Sequence, residues 1–242
     1  MTDFVERKHE RVGRAIGTRH QVHEAILAEI TEGKLAPGER IIQEQIAQKL
    51  GVSRQPVQQA LLLLRNEGIL RAAPGRGLIV APLDLDYVQS MYEVCSVIEG
   101  LAFRKVAEVN AEQARKRGPA LIQAGRKAIK AGSMAAMITA DMKFHDFIYE
   151  LSGNPLIAPA MHSHWTYAQR VMGEMLRRDE RPGDIWDQHE EMLAAVMAGE
   201  GDKAETMARQ HVTQAASFMI ARLRNEAKTK NTAASKGLLT GT

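Results

Sequence analysis

The stretch from residue 51 to 70, GVSRQPVQQALLLLRNEGIL, restricts this chain more than any other. Gly51 closes an apolar-periodic run, IIQEQIAQKL, and Ser53 stands where a helix N-cap is wanted. Pro56 suits a first helical turn, where its missing N–H has no intrahelical partner to lose. Val57, Ala60, Leu61 and Leu64 follow at helical spacing, and Gly68 ends the run. Two short helices joined by a tight turn containing glycine form a helix-turn-helix. In such a unit the second helix offers its first turn to the major groove. Here that turn carries Ser53, Arg54, Gln55 and Gln58, all able to hydrogen-bond to bases or phosphates.

The surroundings narrow the reading. Residues 18–33 predict a preceding helix with Val22, Ile26, Leu27 and Ile30 on one face, followed by a turn at Pro37-Gly38. Helix two is expected over 43–50 and helix three over 54–67. The period then changes to that of strands. Ile69–Ala72 and Leu78–Ala81 flank the tip Pro74-Gly75-Arg76-Gly77, which predicts a two-stranded wing. Glycine at the tip permits close backbone approach, and Arg76 between two glycines can reach a phosphate or a narrow minor groove. The DNA-facing set expected is Arg40, Ser53, Arg54, Gln55, Gln58, Arg76 and Gly77. Charge agrees. Residues 1–82 hold 12 basic against 9 acidic side chains, whereas the remainder holds 20 of each, so the whole formal excess of +3 lies with the helix-turn-helix.

The expected organisation is a flexible arm at 1–17, a winged helix-turn-helix over 18–82, an all-α six-helix antiparallel bundle over 83–228, and a disordered tail at 229–242. The fold class is therefore mainly α. Within the bundle an interruption or kink is expected near Gly118-Pro119. A single cysteine, Cys95, fits a reducing compartment. No run of 18 apolar residues is present and the first twenty residues lack an apolar core, so the expectation is a cytoplasmic chain without a membrane partner.

The bundle carries a second constellation. Asp141 and His145 are four apart on one helix and share a face. His189 and His211 lie on two later helices, and facing helices can bring such side chains together. One carboxylate and three imidazoles suit Zn²⁺, Ni²⁺, Mn²⁺ or Fe²⁺ with positions left open. Spacing alone equally permits scattered surface or core histidines. His162 and His164 are alternative ligands. An open position can hold a hydrolytic water or the carboxylate of an effector. Glu190 and Glu191 adjoin His189 but, as neighbours on a helix, face other ways, which weakens a hydrolase reading.

ILAEITEGKLAPGERI, IAQKLGVSRQPV, ALLLLRNEGIL and PGRGLIV together resemble the winged-helix domain of GntR-family bacterial regulators. Asp141-x-x-x-His145, the following SGNP, His189 and His211 are similar to the FCD ligand-binding domain of the FadR subfamily. The resemblance covers about residues 18–225. It implies a homodimer on double-stranded DNA at a palindromic operator, a regulator rather than an enzyme and most often a repressor. It also implies a divalent ion held by Asp141, His145, His189 and His211, zinc or nickel foremost, and a small effector, commonly an organic acid. The alternatives are a regulator whose metal is structural or is itself the signal, and a metal-dependent hydrolase. The chain departs from the family in three places. SRQPVQQAL replaces the usual SRTPVREAL, so Gln55 and Gln58 stand for Thr and Arg; Gln43-Glu44 replaces a Glu-Arg pair; and YEVC places Cys95 where an arginine is usual. With that arginine absent, Arg104, Tyr167 and Arg170 are the expected effector contacts.

Overall fold

The computed structural model describes residues 19–177 and 182–239; the arm expected at 1–17 lies outside them. The elements in order are α1 (residues 19–31), β1 (Arg40–Ile41), α2 (Gln43–Leu50), α3 (Arg54–Asn66), β2 (Leu70–Ala72), β3 (Leu78–Val80), α4 (Leu85–Val109), α5 (Ala111–Lys130), α6 (Met134–Leu151), α7 (Ile157–Leu176), α8 (Pro182–Met197) and α9 (Gly201–Leu239). The chain divides into two units. One takes the described residues up to Leu83 together with Trp165–Arg177; the other takes Asp84–His164 with the described residues from 182 onward.

The first unit is a winged helix-turn-helix. Val22, Ile26, Leu27 and Ile30 of α1 are buried, as are Val57, Ala60, Leu61 and Leu64 of α3. Each set recurs at three and four residues, so each helix buries one stripe. The turn between α2 and α3 depends on Gly51, whose φ of +63° lies in the left-handed region that favours glycine. Its N–H closes α2 on the carbonyls of Ala47 and Gln48. Ser53 then takes the N-cap position of α3, but its hydroxyl makes no capping hydrogen bond and is exposed.

The wing has one strand more than the two expected. The order is β1-β3-β2, all antiparallel, with Arg40 opposite Ile79 and Arg71 also opposite Ile79. β1 is two residues long, too short to show alternation; it forms because the Pro37-Gly38 turn delivers it to the free edge of β3. There Val80 N–H bonds to Glu39 O at 2.9 Å and Gly38 N–H to Val80 O at 2.8 Å. The second half of α7 belongs to this unit rather than to the bundle. The Arg170 guanidinium donates to the carbonyl of Ala81, and Arg177 donates to that of Thr31.

In the second unit α4 lies along α9, and α5 packs on both α6 and α8. Asp84 caps α4 by accepting from the N–H groups of Asp86 and Tyr87, so this helix starts directly after the wing. α5 runs unbroken through Pro119, where an interruption was expected. α9 continues to Leu239, through most of the segment expected to be a disordered tail. Extending a helix already formed costs little compared with nucleating one, and 229–239 contains no proline. Among the described residues no helix is long and apolar enough to cross a membrane.

Candidate metal centre and nucleic-acid interface

α6, α8 and α9 build a buried cluster in the second unit. α6 supplies Asp141 and His145, one turn apart; α8 supplies His189 and α9 supplies His211. These are the four residues expected from the sequence; ring nitrogens of His145, His189 and His211 lie within 4.8 Å of one another, and Asp141 lies beside this group without joining it at that distance. His189 Nε2 lies 3.2 Å from His211 Nε2 and 3.5 Å from Asp141 Oδ1, and His145 Nε2 lies 3.9 Å from Asp141 Oδ2. His189 is fully buried, and Asp141 and His145 nearly so.

Each imidazole is held differently. His211 Nδ1 donates to Gln188 Oε1 at 2.7 Å, which leaves its Nε2 facing inward. His189 stacks on Phe144, with ring centroids 4.5 Å apart, and meets Trp186 edge-on at 4.8 Å. Trp186 reaches that place because Gly125 of α5 has no side chain: a Cβ there would sit 2.1 Å from the indole ring. His145 Nδ1 donates to Glu99 of α4, whose other oxygen accepts from Tyr149 O–H at 2.5 Å.

Burial disfavours charge on most of these groups, and His145 alone is shifted toward its charged form. Burial pushes Asp141 up to about 6, against the pull of His145. Burial and the presence of His145 push His211 down to about 3, and burial holds His189 well below the usual imidazole range. Burial opposes charge on His145 too, but Glu99 and Asp141 outweigh it and raise that ring to about 9. Two imidazoles are therefore kept neutral, the form that ligates metal. Ligands about 2.0–2.1 Å from one shared tetrahedral ion lie roughly 3.3 Å apart, close to the 3.2 and 3.5 Å around His189, while the 3.9 Å between His145 and Asp141 is longer. The donor set fits a divalent cation.

The other expected residues lie elsewhere. His162 is exposed and bonded to Asp146 at 2.8 Å, so it is not among the converging ligands, and neither is His164. Glu190 points outward to Arg126, and Glu191 is exposed. Arg104, expected at an effector, sits on the outer side of α4 and is tied to Glu108 at 3.0 Å, to Glu205 at 2.7 Å and to Asp202. Tyr167 and Arg170 belong to the first unit, where Arg170 holds Ala81. Arg104 is thus engaged away from the His cluster, because the face on which it stands is set by packing that local spacing does not encode. Glu99 was missed. Its signal is a single carboxylate on the buried face of α4, in register with Val88, Met91, Cys95, Ala102 and Val106. Another His-rich group, His20, His23 and Glu24 on α1, is partly accounted for by His23 Nε2 bonding Glu67 Oε2 at 2.7 Å, which joins α1 to the end of α3.

In the first unit Ser53, Arg54, Gln55 and Gln58 are all exposed along the start of α3, and Arg40, Arg76 and Gly77 are exposed on the sheet and at the wing tip. Gly75 and Gly77 both have positive φ. Arg54 pairs with Glu44 of α2 at 3.0 Å, and Gln43 Nε2 donates to Arg54 O at 2.9 Å. The unexpected member is Glu44, an anion set against the foremost cation of the recognition helix.

An exposed helix-turn-helix and wing on one unit, and a second, helical unit holding a His cluster, have the layout of a DNA-binding transcription regulator. The chain belongs to the GntR family. The model described as "Bacterial regulatory proteins, gntR family" matches residues 18–80, and that of the FCD domain matches residues 90–214. Among curated relatives, the HTH-type transcriptional repressor RspR of Escherichia coli (strain K12) is 22% identical over 206 residues, covering 85% of this chain and 90% of that protein. The HTH-type transcriptional regulator YdhC of Bacillus subtilis (strain 168) is 31% identical over 126 residues; the match spans 52% of this chain and only 56% of that protein. The same fold occurs in E. coli McbR/YncC, with a TM-score of 0.71 at 21% identity, covering 85% of this chain and 98% of that one. A GntR transcriptional regulator from Rhodococcus sp. RHA1 shares it with a TM-score of 0.67 at 20% identity, over 84% and 97% of the two chains. The family and these relatives are regulators, not enzymes.

Proposed function

We propose that the protein is a metabolite-responsive repressor of the FadR subfamily, acting as a homodimer on a palindromic operator. The observation that carries the reading is the convergence of His145, His189 and His211, with Asp141 beside them, inside a domain linked to an exposed recognition helix. Asp141 and the three Nε2 atoms would hold a divalent ion, zinc or nickel foremost. When bound, that ion offers an open position to an oxygen of a small organic acid. The name of RspR as a repressor supports the same sign of control here.

Homodimer formation is supported by α4. Val94, Val97 and Leu101 recur at three and four residues along it and are 53, 49 and 41% exposed, a seam suited to a second copy. Two copies would present two α3 helices to successive major-groove turns. Ser53, Gln55 and Gln58 read bases, while Arg54, Arg40 and the Arg76–Gly77 tip hold base edges and phosphates. The effector shifts the population between two arrangements of the helical domain, and the linker at Pro82 passes the change to the spacing of the two α3 helices. To do so it must bind one arrangement more tightly than the other.

The test is an operator titration with metal-loaded and chelated protein across a panel of organic acids. One acid is expected to weaken operator binding by tenfold or more in the loaded protein alone. Unchanged affinity across a broad panel sinks the effector reading. Unfolding of the second unit on chelation, with no dependence on any acid, makes the ion structural instead.

A further inference from the structure

We propose that Glu99 is the positioning residue of the metal centre, holding His145 in its ligating orientation and tying α4 to the ion. The inference rests on the metal reading above. Glu99 is 1% exposed, on a helix face otherwise filled by Val88, Met91, Cys95, Ala102 and Val106. A carboxylate costs far more to bury there than an aliphatic side chain of similar size. Both its oxygens are engaged, and both partners lie on α6: Oε1 accepts from His145 Nδ1–H, and Oε2 accepts from Tyr149 O–H. His145 and Tyr149 are one turn apart, so the carboxylate is gripped at two points and cannot turn without losing both.

The consequence falls on the other side of the ring. With Nδ1 fixed as the donor, Nε2 of His145 is the atom turned toward Asp141, and the ring stands 5.1 Å from that of His189 and 5.9 Å from that of His211. A carboxylate behind an imidazole fixes its tautomer and raises its basicity as a ligand. His211 has only a neutral amide behind it, and His189 is held by aromatic packing. Among the described residues Glu99 thus gives the centre its one anionic brace, and it does so from α4, which supplies no ligand and begins directly after the wing. Any change that pulls His145 toward an ion or lets it go is felt by α4 through this carboxylate.

The experiment uses the full chain and three variants, Glu99→Ala, Glu99→Gln and Tyr149→Phe. Zn²⁺ affinity is measured by competition with a chromophoric chelator, the Co²⁺ visible spectrum reports ligand geometry, and far-UV circular dichroism checks the fold. Glu99→Ala is expected to weaken Zn²⁺ binding about 10–100-fold and to alter the Co²⁺ spectrum. Glu99→Gln keeps an acceptor but loses the charge, so its loss is smaller and in the same direction; Tyr149→Phe moves affinity the same way by less than Glu99→Ala. A folded Glu99→Ala protein with wild-type affinity and spectrum overturns the proposal. If Glu99→Ala does not fold, wild-type affinity and spectrum in both Glu99→Gln and Tyr149→Phe overturn it. A wild-type chain that binds neither ion overturns the metal reading and this inference together, whereas wild-type binding with unmoved variants overturns the inference alone.

Discussion

The two polar sets of this protein are held in opposite ways. The residues assigned to DNA stand outside, on a frame fixed by backbone. The Gly51 turn aims α3, the three-stranded sheet aims the wing, and the side chains themselves project into solvent. Arg54 is 71% exposed at its side chain. The residues assigned to metal stand inside and are fixed by packing: Phe144 against His189, Gln188 behind His211, Glu99 behind His145. On the outer set, substitution should change what is bound and leave the fold alone. On the inner set it should change both, because each ligand is also part of a core.

The sharpest way to break this contrast is His189→Ala. It removes a ligand and leaves a hole beside Phe144 and Trp186, so it should abolish stoichiometric metal binding. It should also cost about 2–4 kcal/mol of unfolding free energy, in the range of large-to-small core changes. Metal content by mass spectrometry and a urea titration read the two effects. Retention of full metal content would show that the centre is not built from these ligands.

Arg54→Ala is the matching change outside. Operator affinity should fall by about 1–3 kcal/mol if the guanidinium contacts a base. The urea midpoint should correspond to a stability within about 0.5 kcal/mol of wild type, as for other exposed sites. A large loss of stability would mean that Arg54 is structural and that the outer set is not free of the fold.

Exchanging Gln55 and Gln58 for Thr and Arg is a finer test, of preference rather than strength. Gln pairs well with adenine and Arg with guanine, so the favoured operator bases should change at one or two positions. The added cation should steepen the salt dependence by about one phosphate contact. Identical base preference in a selection from randomised operators would remove these glutamines from the reading surface.

The same contrast decides what could be read from sequence. Helix spacing, the turn glycine and the strand-like runs around the wing are local, and α2, α3, β2 and β3 lie where the pattern put them to within a residue or two. Asp141 and His145 are a local pair; His189 and His211 stand on later helices as possible partners, and only the family resemblance favours the joined set over scattered histidines. Glu99 was not legible in this way, since 46 residues separate it from His145 and only the packing of α4 on α6 brings them together. The place of Arg170 was hidden likewise: its partner, the Ala81 carbonyl, is 89 residues away and has no side-chain signature at all. β1 is a third case, where two residues become a strand only because β3 is already there to pair with them.

The smallest expected effect comes from Glu44, and it bears on whether the outer set is as independent as its exposure suggests. Glu44 and Arg54 are both well exposed and 3.0 Å apart. An exposed pair of this kind contributes at most about 1 kcal/mol to stability, so Glu44→Gln should leave the fold nearly untouched. On the DNA side the anion acts against binding twice. It competes with bases and phosphates for the Arg54 guanidinium, and it stands at the start of α2, where a negative phosphate would otherwise approach. Glu44→Gln should therefore tighten operator binding a few-fold, and the gain should shrink as salt rises, since both effects are screened. The gain should also disappear in the Arg54→Ala background if the competition is the larger effect. If it persists there, repulsion of phosphate by Glu44 is the cause, and the ion pair between α2 and α3 is incidental. If Glu44→Gln weakens binding instead, Glu44 is positioning Arg54 for its base, and the outer set, like the inner one, relies on a carboxylate brace.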